Sequence, residues 1–303
     1  MNPYRLHAYS LLLAVSVIWG VAGVVIKYTL GAFPPLTFLT YRFAIASLAA
    51  VLTFLSVGFK IPKDKKGLLT SGLYGFLTST VALGLLFFGT DETTAIDATL
   101  ISATAPIGVA AAGAIFLGEH ITKREKVGIS IAFLGTLVTI LEPLVRNGAS
   151  LAGLGGNLLV FASVIVGAAT AVMAKVLLRQ GVTPLFATSV SFIVGFLTTA
   201  PVAFTLEKPA NMIALLGATP LPYHLGVFYM AFISGSLAYT LWHKAQKTIE
   251  IGEVGLFAYL YPVFGTPLAV FWLKEKITPP FIVGAAIITL GVAVAEYKKR
   301  RYN

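Results

Sequence analysis

Charged side chains set inside long apolar runs are where chemistry is first sought in this chain, and Arg42, Asp97 and Glu253 are of that kind. A buried guanidinium binds a substrate carboxylate, pairs with an acid of its own chain (Glu142 and Asp97 lie at similar depth), or snorkels to the headgroups. An acid such as Asp97 takes up a proton and couples transport to a proton gradient. The competing reading of Asp97 is structural, because Thr94-x-x-Asp97 is a capping box and the helix dipole stabilises an acid in a first turn. Glu119 and Glu275 end apolar runs and anchor loops.

Aromatic residues offer the second kind of chemistry. Trp19, Tyr74, Tyr239, Trp242, Tyr259 and Tyr261 have an apolar body and one hydrogen-bonding tip, which suits an amphiphilic ligand. The alternative, an aromatic belt at the headgroups, fits Trp242; Trp19 and Tyr259 lie too far inside their runs for it. Ser102, Thr104, Asn157 and Ser163 supply cavity contacts or interhelical hydrogen bonds. The expected substrate-cavity set is Trp19, Arg42, Tyr74, Ser102, Asn157, Tyr239 and Tyr259, with Asp97 the candidate for proton coupling. Pro106 and Pro262 stand mid-run, where each frees a carbonyl one turn earlier, at Ser102 and Ala258, and acts as a hinge or gate. His243 and Lys244 close their run at an interface, where both are solvated.

Enzyme signatures are absent: there is no His-Glu-x-x-His, phosphate loop, nucleophile elbow or paired-acid metal motif. No catalytic residue, metal or cofactor is expected. Without cysteine the chain has no disulfide framework.

The elements that must position these residues follow from composition. Hydrophobic residues are 57% of the chain, charged residues 11%, and mean hydropathy is +0.87; soluble domains carry about 25% charge. The apolar runs are roughly 20 residues long, enough to cross the bilayer. Ten spans are predicted: 7–29, 35–57, 67–89, 93–116, 126–145, 154–179, 184–206, 223–247, 252–273 and 279–297. The first is too long for a signal-peptide core. With the N-terminus inside, fifteen Lys and Arg fall on the inner side (Arg5, Lys60, Lys63, Lys65, Lys66, Lys123, Arg124, Lys126, Arg179, Lys244, Lys247, Lys298, Lys299, Arg300, Arg301) and five outside (Lys27, Arg146, Lys208, Lys274, Lys276). Positive-inside asymmetry therefore accounts for the net charge of +10, and nucleic acid is not implied. Both termini are expected in the cytoplasm, the basic tail against anionic headgroups.

The chain also contains itself twice. Shifted by 156 positions, Leu117-Gly-Glu-His-Ile-Thr122 falls on Leu273-Lys-Glu-Lys-Ile-Thr278, Val127-Gly128 on Val283-Gly284, Leu134-Gly135 on Leu290-Gly291 and Pro106 on Pro262. Lys27 falls on Lys175 at a shift of 148, and the shorter shift implies a longer loop, 207–222, between the seventh and eighth spans. Five spans per half is an odd number, so the halves run in opposite senses through the bilayer. Inverted repeats give one chain two related conformations, open to opposite sides.

Trp19-Gly20, Lys27, Pro35, Arg42, Pro106 and Leu-Gly-Glu-His-Ile-Thr122, with Tyr261-Pro262 and Leu273-Lys-Glu-Lys-Ile-Thr278, resemble the EamA branch of the drug/metabolite transporter superfamily. The resemblance implies ten helices, two EamA repeats, a central cavity and commonly the export of amino acids or other small metabolites. It weakens where Gly167-Ala168 stands opposite Trp19-Gly20 and Ser191 opposite Arg42, and substrate choice is expected in that asymmetry.

The expectation is an all-α integral membrane protein: ten transmembrane helices as two inverted five-helix repeats, 1–146 and 147–303, around a central cavity. It exports amino acids or related small metabolites by alternating access, as a uniporter or driven by protons, from the cell inner (plasma) membrane. Its partners are the lipid bilayer and a small-molecule substrate, and one chain suffices as a monomer. A phosphorylated-metabolite or nucleotide-sugar exchanger is the alternative and needs paired cavity cations, for which Arg42 and Lys175 are the candidates. An intramembrane enzyme or scaffold is the remaining class.

Overall fold

Prolines and threonines set where the helices begin. In the computed structural model, which describes residues 3–57, 65–118, 123–142, 153–249, 254 and 257–296, α2 (Pro35–Val57), α7 (Pro184–Leu206), α8 (Pro209–Ala218) and α11 (Pro279–Glu296) all start on proline, whose missing N–H costs nothing there. Thr94 caps α4 (Ala95–Leu117), its Oγ1 accepting from Asp97 N at 3.0 Å. Thr183 caps α7 in the same way, accepting from Phe186 N at 3.2 Å. The capping reading of Thr94 is therefore seen directly. The remaining helices are α1 (Pro3–Leu30), α3 (Lys65–Glu92), α5 (Lys123–Ile140), α6 (Leu154–Arg179), α9 (Leu221–Thr248) and α10 (Phe257–Leu273). No strand occurs among the described residues.

Seven of these helices, α1, α2, α3, α4, α6, α7 and α9, are long and apolar enough to cross a membrane. The apolar stretches of α5, α10 and α11 are shorter. Segment 207–222, expected as an extended loop, instead holds α8; Pro209 starts it, and Lys208 takes the preceding turn at φ 61°. The bundle turns large apolar side chains outward, with Leu55, Leu69, Ile115 and Phe271 at least 75% exposed. In water that surface would be unstable; in lipid it is solvated.

Much of the irregularity in the helices is paired; a further π-helical stretch, at Ala269–Leu273 in α10, is not. α3 passes through a π-helical stretch at Phe76–Ala82, and α9 through another at Tyr229–Leu237. α4 breaks between Ser102 and Ala105, with Thr104 at φ −84°, ψ −2°. α10 begins with a tight 3₁₀ turn at Phe257–Leu260, and Leu260 has φ −83°, ψ −12°. Thr104 and Leu260 are equated by the 156-residue shift, and each stands two residues before its proline. Pro106 and Pro262 thus do not kink a continuous helix. Each opens a new helical segment after a tight turn, because proline has no N–H to continue the previous ladder.

α5 and α11 pack along each other through matched glycines. A Cβ on Gly135 would stand 2.9 Å from the Gly284 carbonyl, and one on Gly291 would run into Ala132 N and stand 2.7 Å from the Gly128 carbonyl. Backbone contact of this kind is how helices associate where lipid removes the hydrophobic driving force.

Candidate functional site

Seven helices, α1, α2, α3, α4, α6, α9 and α10, line a cavity of about 240 Å³. Glycine brings its walls together. A Cβ on Gly23 of α1 would meet Thr99 Oγ1 of α4 at 2.8 Å, and one on Gly20 would meet Phe264 Cβ and the Tyr261 carbonyl of α10 within 2.9 Å. Of the expected cavity set, Trp19, Arg42, Tyr74, Ser102 and Tyr239 line the space.

Asn157 and Tyr259 are not among the lining residues. Asn157 is fully buried near the start of α6: its Nδ2 donates to the Thr139 and Ile140 carbonyls, and its Oδ1 accepts from Thr93 Oγ1. It joins α6 to the end of α5. Tyr259 falls in the 3₁₀ turn, where the change of helical pitch hands the wall to Ala258 and Tyr261. Asp97 is buried at the head of α4 but does not line the cavity. Pro106 and Pro262 sit just behind the wall residues Ser102, Ala105, Ala258 and Tyr261. Glu119, Glu253 and the basic tail lie outside the described residues.

Trp242 and His243, read from the sequence as interfacial, are instead part of the wall. Trp19 is the hub of the aromatic side: its centroid lies 5.1 Å from both Tyr239 and Trp242 and 6.1 Å from Tyr261, edge-on to the two tyrosines. Its Nε1 donates to the Ser234 carbonyl at 3.0 Å. His243 is 1% exposed and shares hydrogen bonds with the Tyr74 hydroxyl at 2.9 Å through Nε2 and with Thr188 Oγ1 at 3.0 Å through Nδ1. One imidazole thereby joins α3, α7 and α9.

Arg42 is 1% exposed, which removes the snorkelling reading. Its guanidinium carbon lies 5.5–5.8 Å from the ring centroids of Phe43, Phe87 and Phe192. Its Nε and Nη1 have no hydrogen-bond acceptor. The expected ion pair with Glu142 or Asp97 therefore does not account for these nitrogens; Glu142 Oε1 accepts from Thr278 Oγ1 at 2.6 Å. No other charged side chain lines the cavity among the described residues. Cation–π contact with three rings offsets part of the burial cost, but donors left without acceptors are expensive in such a place.

Two lysines that the sequence repeat equates do the same work at opposite ends of the bundle. Lys27 Nζ donates to the carbonyls of Thr90 (2.9 Å) and Asp91 (2.7 Å), at the end of α3. Lys175 Nζ donates to those of Gln246 (2.6 Å) and Ile249 (2.8 Å), at the end of α9. Both satisfy C-terminal carbonyls that a helix leaves open, where a cation is favoured by the dipole. Gly156, near the start of α6, touches Glu92 at the Lys27 end. Lys175 is nineteen residues further along α6, about 28 Å away. At the Lys27 end, Glu275 also holds the head of α4, its two oxygens accepting from Ala95 N (2.8 Å) and Ile96 N (2.9 Å). The loop-anchoring role read for Glu275 has this form.

The model of the EamA-like transporter family matches this chain twice, over residues 6–141 and 154–297. The uncharacterized transporter YyaM of Bacillus subtilis is 27% identical over 96% of this chain and 94% of its own length. A probable amino-acid metabolite efflux pump of Escherichia coli is 28% identical, covering 96% of this chain and 95% of the relative. A probable terminal-alkyne amino-acid exporter of Streptantibioticus cattleyicolor is 25% identical, covering 94% and 91%. One solved crystal structure superposes with a TM-score of 0.66 over 99% of both chains at 18% identity, a likeness of fold.

Proposed function

The chain belongs to the EamA-like transporter family of the drug/metabolite transporter superfamily, and on that premise we propose that it exports amino acids or related small metabolites by alternating access. It is a multi-pass membrane protein of a transporter family, and the finer reading is ours. The observation that carries it is the cavity between helices of both matched regions, with an unneutralised guanidinium in its wall.

Several observations support ten spans arranged as two inverted repeats, 1–146 and 147–303. Equated glycines meet across α5 and α11. Equated residues break α4 and α10 with matching backbone angles. Equated lysines close α3 and α9 at opposite ends. In this reading, opening to one side releases the Lys27 and Glu275 contacts, while opening to the other releases those of Lys175. The two states then differ by an exchange of roles between halves, and Pro106 and Pro262 mark the turns about which α4 and α10 move. Asp97, beside the Glu275 contact, is the residue through which a proton would bias that end. The assignment to the inner membrane with both termini in the cytoplasm rests on the Lys and Arg asymmetry. A single chain holds both halves, so a monomer suffices.

The exchanger alternative needs two cavity cations, and Lys175 uses its ammonium on backbone carbonyls away from the lining. Proteoliposomes containing the purified protein, tested against a panel of amino acids, related carboxylates and phosphorylated metabolites, provide the test. Flux of at least one amino-acid-related compound above empty liposomes is expected. Flux no greater than from empty liposomes across the panel would overturn the carrier reading.

A further inference from the structure

The charge of the cavity specifies the cargo more narrowly than the family does. Arg42 brings one full positive charge into the wall, and each of its two carboxylate-accepting forks, Nε with Nη2 and Nη1 with Nη2, contains a nitrogen that lacks an acceptor. A planar carboxylate matches such a fork with two charge-assisted hydrogen bonds. Gly235 of α9 packs beside the fork, where a Cβ would sit 3.5 Å from Nη2.

A zwitterion also needs a partner for its ammonium, and the cavity supplies no such acid. Neither aspartate nor glutamate lines it among the described residues. Asp97 is placed behind the wall at the head of α4, and Glu142 is engaged with Thr278. The imidazole of His243 has both nitrogens engaged with Tyr74 and Thr188. In each of the edge-to-face pairs that Trp19 makes with Tyr239 and Tyr261, at 64° and 86°, one ring face is already taken up by the other ring's edge. The rest of the wall is aliphatic or small, with Ile26, Leu83, Leu86, Val109 and Val164 among it. The volume, about 240 Å³, falls below the ~300–1,000 Å³ usual for drug-sized ligands.

We propose that the cargo is a small organic monoanion, a carboxylate on an apolar body whose nitrogen, where it has one, is uncharged. This rests on the carrier reading and selects among its substrates: acylated or deaminated relatives of amino acids over the free zwitterions. The carboxylate meets Arg42, and the apolar body lies against Trp19, Tyr239 and Tyr261. Neutralising the guanidinium also removes the cost of its buried, unpartnered donors, so carboxylate binding is coupled to stabilisation of the helix bundle.

Four probes built on one phenylpropanoyl skeleton test the charge rule: 3-phenylpropanoate, N-acetylphenylalanine, phenylalanine and 3-phenylpropanamide. Affinity is read by ligand-induced thermal stabilisation of the detergent-solubilised protein, and flux separately in proteoliposomes. Both acids are expected to bind at least tenfold more tightly than phenylalanine and the amide. In Arg42→Gln, the acids are expected to fall to the level of the amide. Phenylalanine binding as tightly as the acids overturns the proposal, as does acid binding no tighter than amide binding, absence of both included. Acid binding that survives Arg42→Gln overturns it too. Acids that bind through Arg42 but are not moved across the liposome leave the site assignment standing and count against the carrier reading instead.

Discussion

Arg42 keeps a full charge at a depth where water is scarce, with three phenylalanine rings around it and donors left open. A group held like this works against the stability of the empty protein. Arg42→Met, which keeps the volume and removes the charge, should leave thermal unfolding of the empty protein unchanged or raise it by the equivalent of about 1 kcal/mol or more. A lower unfolding temperature than wild type in the same detergent would show that the guanidinium is a structural group. At this scale the sequence was informative where one side chain's chemistry is extreme. Trp19, Arg42, Tyr74, Ser102 and Tyr239 were all legible as cavity residues. Asn157 was misread because an amide inside an apolar run gives the same signal whether it faces a ligand or bridges two helices. Trp242 and His243 were misread because they stand beside Lys244, which suggested an interface; only the neighbouring helices decide that α9 is covered there. Their nearness to Tyr239, one turn earlier, was the signal available.

Helical elements were legible from hydropathy, and most of the observed ends lie within two or three residues of the expected ones. Their internal geometry was not legible. The π-helical stretches at Phe76–Ala82 and Tyr229–Leu237 add a residue to the turn, which rotates everything that follows relative to an ideal helix. A helical wheel therefore misassigns the inner faces of α3 and α9. The prolines show the opposite case: their pairing was plain in the sequence, and the structure changes what they do. Because Pro106 begins a segment instead of bending one, Pro106→Ala permits a bond from residue 106 to the Ser102 carbonyl and favours a continuous α4. We expect several-fold slower flux with ligand affinity within about twofold of wild type. A matched loss of affinity in the thermal-shift assay would mean that the turn shapes the cavity without serving its motion.

At the scale of the whole molecule, the two matched regions meet where α5 and α11 run together. This contact is closer than side chains permit, and it leaves little freedom for one helix to slide on the other. It is one of several seams between the matched regions, since α2 also packs on α7 and α1 on α9 and α10, and polar contacts of Lys27 on α3, Glu275 on α4 and Lys175 on α9 add to them. Gly291→Leu forces a side chain into the Ala132 backbone nitrogen. It should lower the unfolding temperature by several degrees, as overpacking costs ~1–3 kcal/mol or more. Gly217, with nothing near its Cβ, gives the control, and equal effects of Gly217→Leu and Gly291→Leu would remove the tight seam from the account. The repeat behind this architecture was the most legible feature of the sequence, since a 156-residue shift survives in the residues that crowd backbones together. Cargo was the least legible: of the positions where the halves differ, Trp19, Arg42 and Gly167 line the cavity, while Ser191 turns its hydroxyl to the Thr188 carbonyl.

That same asymmetry makes the protein its own optical instrument. Of its three tryptophans, Trp19 and Trp242 face the cavity together, and Trp272 stands 4.9 Å from Tyr28 near the Lys27 end. On the proposed alternating-access reading, intrinsic emission therefore reports occupancy through the indole pair and movement of the Lys27 end through the third. No dye needs to be attached to watch the cycle turn.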